Sequence, residues 1–436
     1  MLEGWGRLAV PGKESLSVNL EKLTKGAAIS RGLGRSYGDA SLPARPEDRV
    51  ASTRLADRIL SFNPTTGLLR AEAGLSLAEI NRVFLPRGWF PPVTPGTKFV
   101  TLGGMVASDV HGKNHHGEGS FGDHVTSLRV RLGTGDVVDC GPGENPDLFH
   151  ASVGGNGLLG HILEVEFPLR RIPSPWIFKE STRVHHIEEF LAALDDAAKR
   201  WSMTMGWIDC LSRGHELGRG ILMTGRWATS DEVRGRLPQP PAEHSLPFEL
   251  PNWALNPWSA KVFNFAYYWN HLRRRQAGLV TPESFFYPLD RVLHWNRAYG
   301  PRGFTQYQCV LPRSAGAEAV REFLHRLTRL QCASPLCVIK DCGPQGHGVL
   351  SFPMEGTSIA VDMPVWSGIQ DAIDHLNEFV IAAKGRIYLT KDRFTRAHHF
   401  RSMEPRLETF LAAREKWDPW HRLRSAQSVR LFGDTT

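Results

Sequence analysis

The sequence predicts an α+β protein of two domains, and three observations carry that prediction. At 436 residues with 41% hydrophobic and 22% charged content, the chain can bury a large core and exceeds one ordinary domain. Strand-like and helical segments occur in mixed runs, without the strict strand-helix alternation of a doubly wound parallel sheet. Near Pro173 the character shifts from glycine-rich loops between short strands to longer amphipathic helices separated by strand-like runs.

The first element is Ile29 to Asp39, where Gly32, Gly34 and Gly38 are interleaved with Arg31 and Arg35. Glycine lets a backbone turn through positive φ and approach a ligand, so successive N–H groups can converge on an anion; an ordinary glycine-rich turn between two strands is the other reading of this loop taken alone. The G-x-G-x-x-x-G spacing is not the Rossmann G-x-G-x-x-G, and Arg35-Ser36-Tyr37-Gly38-Asp39 reads as loop, so a Rossmann site is disfavoured. Leu68 to Ala73 has strand character, and Ser76-Leu-Ala-Glu79 is a capping box that starts a short helix ending before Pro86. Pro91 to Thr97 is proline-restricted and extended.

The second dense stretch is Thr101 to His116. Gly103, Gly104, Ala107 and Ser108 are small enough for a short helix to pack close to a flat group or to offer its N-terminus to an anion. His111, Lys113, His115 and His116 then arrive in one loop. No acidic partner stands at metal-ligand spacing and Lys113 repels a cation, so a metal is disfavoured, and the loop reads either as an active-site loop offering a base and a fixed charge or as a solvated or structural histidine cluster. Val125 to Leu132 and Val137 to Cys140 read as strands joined by the Gly133–Asp136 turn, Gly154 to Gly157 as a second close-approach loop, and Ile162 to Phe167 as an alternating strand.

Beyond Pro173, helical spacing recurs at Ile187–Leu194, Val320–Leu327 and Ile369–Val380, the last opened by a capping box Ser367-Gly-Ile-Gln370. Strand-like runs lie at Met203–Asp209, Phe304–Leu311, Val338–Lys340 and Thr357–Met363. Alternation puts Ser358, Ala360 and Asp362 on one face, pairs Gln306 with Gln308, and sets Tyr388 and Thr390 opposite Ile387, Leu389 and Lys391. A Pro-rich segment from Leu237 precedes a run of aromatics from Trp253 to Trp269 and the cluster Arg273-Arg274-Arg275. That combination suits a lipid interface or greasy substrate tail, or equally a buried aromatic helix with a basic cap.

The net charge of +7 suits an anionic partner, but the absence of a basic tail or recognition motif argues against nucleic acid. The six cysteines, Cys332 among them, form no CxxC pair and read as structural thiols. Without a signal-peptide pattern or a run of about 18 apolar residues, a cytoplasmic location or a peripheral one at the inner membrane is expected.

Together, Arg31–Asp39, His111–His116, Gly154–Gly157 and Tyr388-Leu-Thr-Lys-Asp392, with Trp207-Ile-Asp209, Phe285–Asp290 and Gln306-Tyr-Gln308, resemble the decaprenylphosphoryl-β-D-ribose 2′-oxidases over nearly the whole chain. These are flavoenzymes of the vanillyl-alcohol-oxidase class. The resemblance implies a PCMH-type FAD-binding domain over residues 1–172, an inserted substrate domain with a helix-covered antiparallel sheet over 173–384, and a segment 385–436 returning to the first. It implies FAD held by Arg31, Gly32, Leu33, Gly34, Arg35, Ser36, Tyr37, Thr97, Gly103, Gly104, Ser108, His111, Gly112, Asn114, Gly154, Gly157 and Tyr388. Substrate would meet Trp207, Gln306, Gln308, Lys340, Ser358, Ala360 and Lys391, with His111, Lys391, Tyr37 and Lys113 as the catalytic set. The implied chemistry is oxidation of the ribose 2′-hydroxyl of a polyprenyl-phosphate sugar, the first half of an epimerisation to arabinose that a separate NAD(P)H-dependent reductase completes, with peripheral membrane contact.

The alternative is a soluble FAD-dependent alditol or aldonolactone oxidase. Related enzymes of that type tether flavin through a histidine after Gly-Leu-Gly; Arg35 stands there, so non-covalent FAD is expected. Mycobacterial members carry cysteine and asparagine where this chain has Ala360 and Ser358. Lowering a lysine from about 10.4 to neutrality costs roughly 4 kcal/mol, whereas imidazole needs almost no shift. On that ground the expectation is His111 as base or relay and Lys391 as stabilising cation.

Overall fold

The structure is a computed structural model and describes residues 1–236, 238–239, 242–330 and 335–435. Leu237 and Cys332, both singled out in the sequence, lie outside the described residues. Three larger sheets organise the chain. Lys13–Leu16, Arg49–Ser52 and Ile29–Arg31 form a small parallel sheet with Arg49–Ser52 at its centre. Five antiparallel strands follow in the spatial order Val137–Cys140, Ser127–Arg131, His161–Pro168, Leu68–Glu72, Ile59–Phe62. The largest sheet has eight antiparallel strands in the order Arg275–Val280, Ile177–Val184, Gly220–Trp227, Met203–Ile208, Cys337–Cys342, Gly356–Pro364, Phe304–Pro312, Arg386–Ile387. These mixed layers are the α+β architecture that the sequence predicts.

Helices Ile187–Arg200, Gly316–Leu330 and Ile369–Ala382 carry apolar residues at helical spacing and bury them on the large sheet. Phe190, Phe323 and Leu376 are fully buried there, in a core continuous with Leu42, Phe121 and Phe167 of the N-terminal region. The chain end packs back on that region. Arg414, fully buried, donates to both carboxylate oxygens of Asp434 at 2.8 and 2.7 Å and to the Leu423 carbonyl, while Arg424 pairs with Asp48 and Lys416 with Asp147.

Two local expectations change. Gly368, not Ser367, caps the helix Ile369–Ala382, because Gln370 turns outward and donates to Asp374 and to the Phe394 carbonyl. The strand at Arg386–Ile387 also stops earlier than the alternation supposed: Tyr388 to Lys391 form a turn closed by Lys391 N–H to the Tyr388 carbonyl at 3.0 Å. Tyr388, Thr390 and Lys391 can therefore face one space, which a continuous strand would forbid. Pro86 sits inside a 3-10 turn, Leu85–Arg87, that prolongs the preceding helix, where its missing N–H is harmless.

Candidate active site

A cavity of about 670 Å³ opens where the glycine loops meet the large sheet. The loop after Ile29–Arg31 enters it through Gly34, whose φ of +66° turns the chain. The loop is clamped to the turn carrying Lys391: Tyr37 N–H donates to the Thr390 carbonyl at 3.0 Å, and a Cβ on Gly38 would lie 1.9 Å from the Asp392 carbonyl oxygen. Arg430 closes the clamp from the chain end, bonding both oxygens of Asp39 and pairing with Asp392 at 2.8 Å. Two segments 350 residues apart thus form one wall.

Among the described residues, the N–H groups of Leu33, Gly34, Arg35 and Ser36 donate to no partner within the chain, and all four residues line the cavity. Unpaired backbone donors around a cavity wall are what a diphosphate needs, so the loop fits the anionic centre of FAD. Thr101 caps the helix Leu102–Ala107 by accepting from Gly104 N–H at 3.3 Å, which sets Gly103, Gly104 and Ser108 on the same cavity. Arg35 donates to the Phe99 carbonyl and stacks on Trp5 at 3.9 Å, where no covalent flavin link can form.

The reactive wall is basic and buried. His111 receives an N–H from Gln308 at 2.9 Å, and Gln308 also reaches Ser358 Oγ at 3.3 Å. Burial, then the charges of Lys340, His115 and Lys391, hold the His111 imidazole well below its ordinary value and so keep it neutral. Lys113 donates to the Phe286 carbonyl at 2.9 Å, and burial with Lys340 and Lys179 nearby brings it down to about 7. Lys391 Nζ lies 3.7 Å above the Tyr37 ring. Burial pulls it from the lysine range to about 7, aided by Lys340 and opposed by the Asp362 carboxylate. Asp362 is raised chiefly by burial and accepts from Gln306 at 2.6 Å and Tyr299 at 3.0 Å.

Burial bears directly on the expected ranking of the two bases. The fold itself imposes the lowering of Lys391 that made lysine look expensive, while the same burial makes imidazolium at His111 unfavourable. Of the other predicted residues, Gly32, Leu33, Gly34, Arg35, Ser36, Tyr37, Thr97, Gly103, Gly104, Ser108, Gly157, Tyr388, Trp207, Gln306, Lys340 and Ala360 line the same cavity. Five lie behind it. Arg31 turns back to the Glu3 carbonyl and Ser41, Asn114 donates to the Pro92 carbonyl, Gly112 packs against Asn114 and Thr94, Gly154 N–H bonds the Val106 carbonyl, and Ser358 acts through Gln308. His115 and His116 are structural, accepting from Gly343 N–H and donating to the Trp201 carbonyl. Among the described residues no His, Cys, Asp and Glu group could hold a metal.

Residues the sequence reading missed include Trp5, Lys179, Asp290 and Tyr299, which line the cavity from four separate segments. Asp362 was placed on one face with Ser358 and Ala360 but given no role; it lies opposite Gln306 across the sheet, a register that the sequence does not disclose.

A glycine cradle with free donors, a short capped helix beside it and a buried Lys-His wall define an FAD-dependent oxidoreductase. The FAD binding domain family matches residues 22–141. The chain is 34% identical to decaprenylphosphoryl-β-D-ribose oxidase of Mycolicibacterium smegmatis, over 96% of this chain and 94% of that protein. It is 31% identical to an uncharacterized protein in the mprA 5′ region of Streptomyces coelicolor, over 79% and 96%. A putative D-arabinono-1,4-lactone oxidase of Neurospora crassa matches at 30% over only 26% of this chain and 20% of its own length. The chain belongs to the decaprenylphosphoryl-β-D-ribose oxidase family.

Proposed function

We propose that the protein oxidises the 2′-hydroxyl of a polyprenyl-phosphoryl ribose to the 2′-keto sugar, the first half of an epimerisation to the arabinose donor. The observation that carries this reading is the convergence of Lys113, Lys179, Lys340 and Lys391 on one cavity with an apolar flank of Trp207, Leu255, Phe263 and Tyr267. An anionic phosphate suits the lysines and a prenyl chain suits the aromatic flank, whereas a free alditol uses neither. The division proposed is an FAD domain over 1–172, a substrate domain over 173–384 and a returning segment over 385–436.

FAD, when bound, supplies the two-electron acceptor; the residues of the chain position the sugar and handle its proton. Neutral Lys391 takes the 2′-hydroxyl proton at Nζ, and Asp362 stabilises the ammonium so formed. His111, held neutral and oriented by Gln308, hydrogen-bonds the sugar oxygen without competing for the proton. Tyr37 supplies a ring face under the ammonium. Lys113 and Lys340 hold the substrate phosphate. FAD stays non-covalent because Arg35 offers no nucleophile, and a separate NAD(P)H-dependent reductase returns the keto group to the alcohol of opposite configuration.

The test is anaerobic reduction of the enzyme flavin, followed at 450 nm, with a prenylphosphoryl ribose against xylitol, sorbitol and an aldonolactone. Bleaching by the lipid sugar alone is expected. Faster bleaching by a free alditol or lactone refutes the assignment.

A further inference from the structure

The helix Pro257–Trp269 divides its side chains among three faces. Ala260, Asn264 and Tyr268, spaced four apart, are buried, with Asn264 donating to Asp209 at 2.7 Å and Tyr268 to the Val184 carbonyl at 3.2 Å. Phe263 and Tyr267 line the cavity, and the Tyr267 ring meets Trp207 edge-on at 4.6 Å. Trp258, Val262, Phe265 and Trp269 share the third face at helical spacing and are 73%, 51%, 58% and 44% exposed. Trp253 and Leu272, at the two ends of the helix, are 77% and 86% exposed. Single exposed apolar residues are ordinary on a soluble surface; four on one helix face with two more just beyond its ends mark an interaction face.

Charge says what the face meets. From residue 250 to 282 the chain has no Asp or Glu, and it carries Lys261, Arg273, Arg274 and Arg275; Arg274 and Arg275 pair with Glu189 and Glu180 at 2.6 Å, while Lys261 and Arg273 meet no carboxylate among the described residues. A second copy seated on this face by a two-fold axis would set those cations against themselves. A layer of anionic headgroups over acyl chains complements both the cations and the aromatics. No helix among the described residues is long and apolar enough to cross a membrane, and this one has only 13 residues, so it would lie in the plane of the interface. The face is continuous with the cavity. Phe263, half exposed, and Val292, 40% exposed, both line it, so the cavity opens beside this helix.

We propose that Trp258, Val262, Phe265 and Trp269 dock on an anionic bilayer, so that a prenyl chain passes from the acyl layer into the cavity along Leu255, Phe263 and Tyr267 without crossing water. The proposal rests on the lipid-phosphate substrate reading, and it makes one helix both cavity wall and membrane anchor.

The test uses the FAD-loaded full chain, sedimented with phosphatidylcholine vesicles and with phosphatidylcholine–phosphatidylglycerol vesicles. The protein is expected to pellet with the anionic vesicles and to be released by salt. The triple variant Trp258→Gln/Val262→Gln/Phe265→Gln should lower that partitioning by about tenfold or more. It should raise KM for a vesicle-embedded long-chain substrate by about tenfold while leaving kcat on a soluble short-chain prenylphosphoryl ribose unchanged. Flavin content and circular dichroism establish that the variant is folded, and Lys261→Glu/Arg273→Glu gives a second route to the same loss. Oxidation of the short-chain substrate without vesicle binding overturns the docking and leaves the function standing. Vesicle binding without oxidation of any prenylphosphoryl ribose refutes the function instead. A dimer that the triple variant dissolves, with no dependence on vesicles, assigns the face to a second copy and also overturns the proposal.

Discussion

The pH dependence of flavin reduction separates the three roles open to Lys391 and His111. Burial brings Lys391 down to about 7 and Asp362 up to about 7, so the two titrate as one pair; taken as a single step centred near 7, the free amine rises from about one tenth at pH 6 to about nine tenths at pH 8. The rate constant for reduction at saturating substrate should therefore rise about tenfold over those two pH units and level off above pH 8. A base at the ordinary lysine value of 10.5 would instead give about a hundredfold rise with no plateau. A base at His111, which burial holds well below 6.5, would give a flat profile from pH 6 upward. A bound phosphate moves the Lys391 midpoint upward but preserves the shape. Stopped-flow absorbance under anaerobic conditions reads the rate, and Lys391→Arg keeps the cation while removing the base. The variant should lose about a hundredfold to ten-thousandfold in reduction rate and the pH step with it. A flat profile in the unaltered enzyme, or a step that survives in Lys391→Arg, refutes Lys391 as the base. The same burial has a stability consequence with the opposite sign to an ion pair. Folding disfavours the protonated lysine, so this group's penalty is full below pH 7, shrinks as pH rises, and vanishes above the unfolded value near 10.4. Partial exposure of Lys391 to the open cavity screens that penalty below the roughly 4 kcal/mol of a fully buried amine.

Asp362→Asn keeps an acceptor for Gln306 and removes the charge that favours the Lys391 ammonium, so the pH midpoint of reduction should move downward; an upward move contradicts the pairing. Gly38→Ala forces a Cβ against the Asp392 carbonyl. It should separate the cradle from the Lys391 turn at a cost of about 1–3 kcal/mol, seen as weaker FAD retention in equilibrium dialysis, while retention equal to the parent would show that the two segments are not coupled. Arg414→Ala strands the buried Asp434 carboxylate and should lower stability by about 3–5 kcal/mol, measured as a fall in the melting temperature followed by flavin fluorescence. Acid precipitation should leave yellow FAD in the supernatant, and colour held in the pellet would contradict the reading of Arg35.

Much of the fold was legible because its signals are local. Alternation along Ile162–Phe167 and helical spacing at Ile187–Leu194 report burial on one face, and Ser76 caps a helix where the sequence places it. The glycine loops were legible for a related reason: a backbone that must turn or be approached closely tolerates few side chains, so Gly34 and Gly38 declare a constraint within their own segment. The aromatic run serves core and surface together, since Tyr268 is buried and Trp258 exposed on the same helix.

What the chain could not disclose by itself is which distant groups share a dielectric environment. Lys391 is an ordinary lysine in sequence. Its basicity is depressed by burial, beside the Tyr37 ring, and by the charge of Lys340, while Asp362 from another element opposes that lowering. Asp39 and Asp392 read as unrelated acids until Arg430 bridges them, which is how the glycine loop and the turn carrying Lys391 become one wall. Local geometry depends on neighbours in sequence and is written there. Desolvation and charge coupling depend on neighbours in space, and only the tertiary structure decides those.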